Sequence, residues 1–114
     1  MLQHTIKRIF IIRTPIDFRK GASSLTAIMY SYSLDPYNGD CLVCINRSRT
    51  SVKILCGNAV GVWLLERRFE GGRLSSPWEF LYEPTMTEVT VSQIAMLLDG
   101  HNFTVKKTVK PFKT

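Results

Sequence analysis

No stretch of this 114-residue sequence approaches the ~18 consecutive apolar residues that a membrane-spanning helix requires, which excludes such a helix. The opening Met1-Leu2-Gln3-His4 has no apolar core ahead of Lys7 and Arg8, so no secretory leader is expected and the chain reads as cytoplasmic. Histidine is scarce, with His4 and His101 far apart, and cysteine is limited to Cys41, Cys44 and Cys56. An odd number of thiols in apolar, strand-like runs suits reduced, buried side chains rather than a disulfide framework. Cys41 and Cys44 form a C-x-x-C, but Cys41-Leu42-Val43-Cys44-Ile45 reads as a strand, which sends the two thiols to opposite faces, and neither Cys56 nor the histidines complete a zinc set. The sequence has no H-E-x-x-H, no phosphate-binding glycine loop and no Gly-x-Ser-x-Gly. Acids number nine against fifteen Lys and Arg, and they lie in turns, at helix ends or beside arginines rather than as the convergent carboxylates of a metal-dependent nuclease. Neither metal, cofactor nor small-molecule substrate is expected, and the chain reads as non-catalytic.

What is present is a composition of ordinary globular kind, 45% apolar and 21% charged, carrying a net charge of +6. That length fits one domain, and the basic balance favours polyanionic partners, nucleic acid first. Residues 6–12 are a β-branched run that predicts a first strand. Phe18, Leu25, Ile28, Met29 and Tyr32 recur at helical spacing, with Thr14 or Asp17 as a cap, or Gly21 as the true start with Ser23 capping. Asp35-Pro36-Tyr37-Asn38-Gly39 is a strong turn signal. Strand-like runs follow at 41–45, 52–56 and 62–69, with a short one from Arg73, separated by short Asn- or Gly-containing breaks that join antiparallel neighbours. Residues 75–86, with Pro77 and Pro84, read as irregular. Thr90-Val91-Ser92-Gln93 has capping-box spacing ahead of a short helix through Ile94, Ala95, Leu97 and Leu98, with Gly100 as its stop. The predicted architecture is α+β: a single domain over 1–103, an antiparallel β-meander carrying one longer and one short helix in the order β-α-β-β-β-β-α. A basic tail over 104–114, with Lys106, Lys107, Lys110 and Lys113, is expected to be mobile.

Arg19, Lys20, Arg47, Arg49, Lys53, Arg67, Arg68 and Arg73 form the candidate nucleic-acid set. Guanidinium forks grip phosphate oxygens in pairs, and clustered cations release counterions from the duplex. The 46–51 loop and the Gly71-Gly72 turn belong to alternate hairpins, so a meander brings them to one end. The competing readings are solvated cations, ion pairs to Glu66 and Glu70, and an Asp17–Arg19 pair that merely holds its turn. Among the aromatics Trp63, Trp78, Phe80 and Tyr82, Trp63 is expected in the core. Trp78, beside Pro77, is the better surface residue, and with Ile94, Leu97 and Leu98 it is the candidate partner-binding set.

Asp17-Phe18-Arg19-Lys20-Gly21, Asp35-Pro36 with Gly39, Asn46-Arg47, Lys53-Ile54-Leu55, Gly61, Arg67-Arg68-Phe69-Glu70 with Gly72-Arg73, and Gln93, Leu97-Leu98 and Gly100 occur in an order that resembles one family. It is that of the small accessory proteins encoded beside the transposase in the insertion-sequence family numbered sixty-six. The likeness runs from Arg8 to Phe103. This chain departs at Cys44, where the family often has an aromatic, at Cys56-Gly57-Asn58, which lacks the family's acid, and at Arg67 and Phe69. The resemblance implies a bacterial mobile element, a separate transposase that performs strand transfer, and a role in transposition alongside it. DNA and that transposase are the partners expected; docking on the transposase without touching DNA is the alternative reading.

Overall fold

The computed structural model describes residues 6–12, 14–17, 19, 21–69, 86–98 and 108–109. Their elements run β1 (Arg8–Ile12), α1 (Ala22–Ser31), a 3₁₀ turn (Pro36–Asn38), β2 (Asp40–Ile45), β3 (Ser51–Asn58), β4 (Gly61–Arg68), β5 (Met86–Val89), α2 (Val91–Leu98) and β6 (Thr108–Val109). The strands form one six-stranded sheet in the order β4-β3-β2-β1-β5-β6. The expected α+β domain is present, and β2-β3-β4 is its antiparallel meander. The sheet is mixed, because β1 joins β2 in parallel through the α1 crossover. A helical connection permits that pairing where a tight hairpin would not.

Strand alternation sorts the apolar residues onto two faces. Phe10, Ile12, Leu42, Cys44, Leu55 and Met86 meet Leu25 and Met29 of α1. Ile9, Ile11, Val43, Ile45, Val52 and Val89 form the other face, where Ile94 of α2 packs. β1 and β2 are buried on both sides, which is why they read as unbroken apolar runs rather than alternating ones.

Local chemistry sets the ends of these elements. Gly21 begins α1 in an extended conformation with no side-chain cap, so the helix starts after the glycine and not at Thr14 or Asp17. Its Cβ position meets nothing within 4 Å. Gly21→Ser is expected to stabilise the fold by about 0.5 kcal/mol, through a cap and a stiffer unfolded chain, read as a raised Tm. Asp35 caps the 3₁₀ turn by accepting the Tyr37 N–H at 2.9 Å, and Gly39 closes it at φ 93°, a left-handed position suited to glycine. Around α2, the Thr90 N–H donates to Gln93 Oε1 at 2.9 Å and the Gln93 N–H to Thr90 Oγ1 at 3.1 Å, the reciprocal box its spacing predicts.

At the amino ends of β1 and β2, Arg8 and Asp40 stand directly opposite and pair in two bonds of 3.0 Å. Asp40 Oδ2 also accepts the Asp35 N–H at 2.9 Å, tying the 3₁₀ turn to the sheet. Asp40 is buried while the Arg8 side chain is half exposed. Asp40→Leu is expected to cost about 2–3 kcal/mol in urea unfolding, less than for a fully buried pair because Arg8 can reach water.

Two elements differ from expectation. Met86–Val89 pairs with β1 as β5, and its first residue, Met86, closes the stretch expected to be irregular. Thr108–Val109, inside the expected tail, pairs with β5. Both are short strands whose partners are remote in sequence.

Candidate nucleic-acid interface

β1, β2 and β4 all run toward the same end of the sheet. The Ile16 N–H donates to the Ile45 carbonyl at 3.1 Å, so the segment after β1 lies against the end of β2. The Phe69 N–H donates to the Thr50 carbonyl at 2.8 Å, so the end of β4 lies against the 46–50 loop. Asp17, Arg19, Arg47, Arg49, Arg67 and Arg68 therefore belong to one end, and the Arg8–Asp40 pair to the other.

Asn46 builds the loop. Its Oδ1 accepts the N–H groups of Thr50 at 2.9 Å and Ser51 at 3.1 Å, while its Nδ2 donates to Thr50 Oγ1 at 2.9 Å. The Arg49 N–H donates to the Asn46 carbonyl at 3.0 Å. Arg49 sits at φ +60°, a conformation uncommon for a residue of its kind, and the Asn46 network holds it there. Arg47 is exposed and Arg49 half-buried.

On β4, Arg67 lies across from Val52 and Arg68 across from Ser51. Neighbours on a strand project to opposite faces, so the two arginines straddle the edge of the sheet. Both are exposed. Among the described residues no carboxylate pairs with Arg47, Arg49, Arg67 or Arg68.

Arg19 differs. Its guanidinium grips Asp17 through contacts of 2.7 to 3.1 Å, and Asp17 Oδ1 accepts the Arg19 N–H at 2.9 Å. Those hydrogen bonds raise the arginine's pKa above its ordinary value. The pair is exposed and holds its own turn. Lys53 is buried, standing across from Cys44 on the α1 face, and so is not displayed with the arginines. Ile94 is likewise buried in the core beneath α2 and is not offered to a partner. Lys20, Arg73 and Trp78 lie outside the described residues, as do the side chains of Leu97 and Leu98.

Trp63 corrects the sequence reading. It is 51% exposed, and Leu64 and Leu65 are also exposed. An apolar run signals a strand, but not its place in the sheet; β4 is the outermost strand of the described sheet, and its apolar side chains stay open to solvent.

The thiols are packing groups. Cys41 and Cys56 lie on one face and Cys44 on the other, all free and buried. Burial pushes the Cys44 thiol up to about 12. Cys41 is raised first by its hydrogen bond to Cys56 and then by burial, and the same bond lowers Cys56. Among the described residues no group of three metal-binding side chains converges, and no helix is long and apolar enough to cross a membrane.

The sequence matches the family described as IS66 Orf2-like protein over residues 7–108. This chain is a member of that family. It is therefore a transposition-associated accessory protein of an insertion sequence, from a family not known as catalytic. The match takes in every strand from β1 to β5 and both helices, and so includes the arginine-bearing loop and the end of β4. No curated protein and no solved structure matches the chain.

Proposed function

We propose that this IS66 Orf2-like protein is a non-catalytic DNA-binding factor for transposition that works in the cytoplasm beside the element's transposase. The observation that carries the reading is the gathering of Arg47, Arg49, Arg67 and Arg68 at one end of the sheet, without carboxylate partners among the described residues. A braced loop supplies two guanidinium groups and a strand end supplies two more. Such an array suits the phosphate backbone, where contacts position a protein without reading sequence. Lys20 and Arg73 belong to the same proposed set through their sequence positions, and Arg19 joins it only as a partner of Asp17.

The test is binding of the purified protein to labelled duplex from the element's terminal repeats across a salt series, with random duplex of equal length as control. A steep fall of affinity with salt is expected. Preference for the repeats would make the basic end a recognition surface; equal binding would make it a general clamp with specificity supplied by the transposase. Absence of binding at low salt would overturn the reading and favour docking on the transposase alone.

A further inference from the structure

Given the DNA-binding role proposed above, we infer that Arg49 is its base-reading residue. Its guanidinium fork takes the O6 and N7 acceptors of a guanine in the major groove, while Arg47, Arg67 and Arg68 hold phosphates. Among the described residues, Ser33 and Arg49 are the two that adopt positive φ without being glycine, at 59° and 60°. Ser33 is small. A long side chain is disfavoured in this region, and glycine or asparagine would make the same turn with less strain. The arginine at position 49 is thus kept against the preference of its own backbone. Folding draws no polar contact from it: among the described residues the Arg49 guanidinium makes no ion pair and no hydrogen bond.

The loop around it is fixed on both sides. Asn46 Oδ1 accepts the Thr50 and Ser51 N–H groups, Asn46 Nδ2 donates to Thr50 Oγ1, and the Ser48 and Thr50 hydroxyls bond at 2.8 Å. The Thr50 carbonyl takes the Phe69 N–H, which ties the loop to the end of β4. Phosphate neutralisation needs only charge and tolerates a mobile cation. Reading a base edge needs donors held in place before contact. A braced backbone carrying a half-buried arginine meets the second need. Arg47 is exposed, and Arg67 and Arg68 diverge to the two faces of a strand end, which suits backbone contacts.

Fork chemistry and groove size select the ligand. A hairpin tip is two strands wide, with about 4.8 Å between them; the major groove, about 12 Å across, admits such a ribbon, and the minor groove, about 6 Å across, is too narrow for it. β4 stands one strand outside the β2–β3 hairpin, so Arg67 and Arg68 come beside the phosphate wall of the groove rather than its floor. On that floor guanine alone offers two neighbouring acceptors, O6 and N7, to the paired N–H donors of arginine. The other bases present an acceptor beside a donor, or only one of the two. The charge of Arg49 still adds to counterion release as the other three do.

The test compares the whole native chain with Arg49→Lys, Arg47→Lys and Arg49→Gly, each titrated against terminal-repeat duplex and random duplex of equal length. The native chain should prefer the repeats. Arg49→Lys keeps the charge and loses the fork, so that preference should fall about tenfold. Arg47→Lys should weaken binding to both duplexes by one factor and keep their ratio. Replacing the repeat guanines with 7-deazaguanine, which lacks N7, should weaken the native chain about tenfold and add no further loss to Arg49→Lys. Arg49→Gly should fold with a Tm no lower than the native chain's. Four results would each overturn the inference and leave DNA binding standing: salt-dependent binding without preference for the repeats, an Arg49→Lys ratio equal to the native one, an equal fall for Arg47→Lys, or a lower Tm for Arg49→Gly, which would mean that the arginine is kept for packing. Absence of binding at low salt would overturn both readings.

Discussion

Reversing the four arginines at the basic end, with Arg47, Arg49, Arg67 and Arg68 each changed to Glu, is expected to abolish measurable DNA binding at physiological salt. Each phosphate contact contributes a slope of about −0.9 to the dependence of log affinity on log salt. Four contacts correspond to a slope near −3.6, or about 150-fold in affinity between 50 and 200 mM salt. The quadruple Ala variant should lose that much of the slope, while reversal adds repulsion on top. Arg47, Arg67 and Arg68 are exposed, so the fold should survive their loss, and a native circular dichroism spectrum with an unchanged Tm is the control. Single Ala variants separate the roles. Arg47→Ala should remove about one contact, near 3.5-fold over the same salt interval, and leave the loop intact. An unchanged slope in the quadruple Ala variant would place the DNA surface elsewhere.

Gly57→Ala is expected to destabilise the protein by about 3 kcal/mol. Gly57 lies across from Val62 in the β3–β4 pair. A Cβ there would overlap the carbonyl oxygen of Gly61 and come to 3.0 Å from the Val62 Cα. Both are backbone atoms, so no rotamer change relieves the overlap and the hairpin must open. Urea denaturation should show the loss in midpoint. Because β4 carries Arg67 and Arg68, DNA binding should weaken with it, by unfolding rather than by loss of charge. This gives the glycine in Cys56-Gly57-Asn58 a structural role of its own.

The parts of the fold that were legible in the sequence are those fixed by neighbours in sequence. Asp35, Pro36 and Gly39 specify their turn, and Thr90 and Gln93 specify the start of α2, because donor, acceptor and backbone conformation all lie within a few residues. The hairpins from β2 to β4 followed from short polar breaks between apolar runs. What escaped depends on remote pairing. Nothing local in Met86-Thr87-Glu88-Val89 announces that it will lie beside β1. Trp63 and Lys53 were misplaced for the same reason: each sits in a plain strand, and its exposure depends on whether another layer covers it. The outermost strand leaves Trp63 open, while Lys53, one strand further in, is buried on the face that α1 covers. Of the basic set, the meander pointed to the 46–51 loop and the Gly71-Gly72 turn at one end; the end of β4 does lie against that loop, and the turn itself is outside the described residues. The pairing of Arg19 with Asp17 was legible as an alternative that only coordinates could choose.

The strand order also sets a timetable for synthesis. β1 lies between β2 and β5 in the sheet, so one of its edges is met early and the other only when residues 86–89 have been made. A nascent chain emerges at about 5–20 residues per second, so that edge, with Ile9 and Ile11 along it, stays open for several seconds after β1 itself is complete. The first strand made is thus among the last to be enclosed. The interval is one in which a chaperone, or the hairpin of another nascent copy, has access to the middle of the sheet.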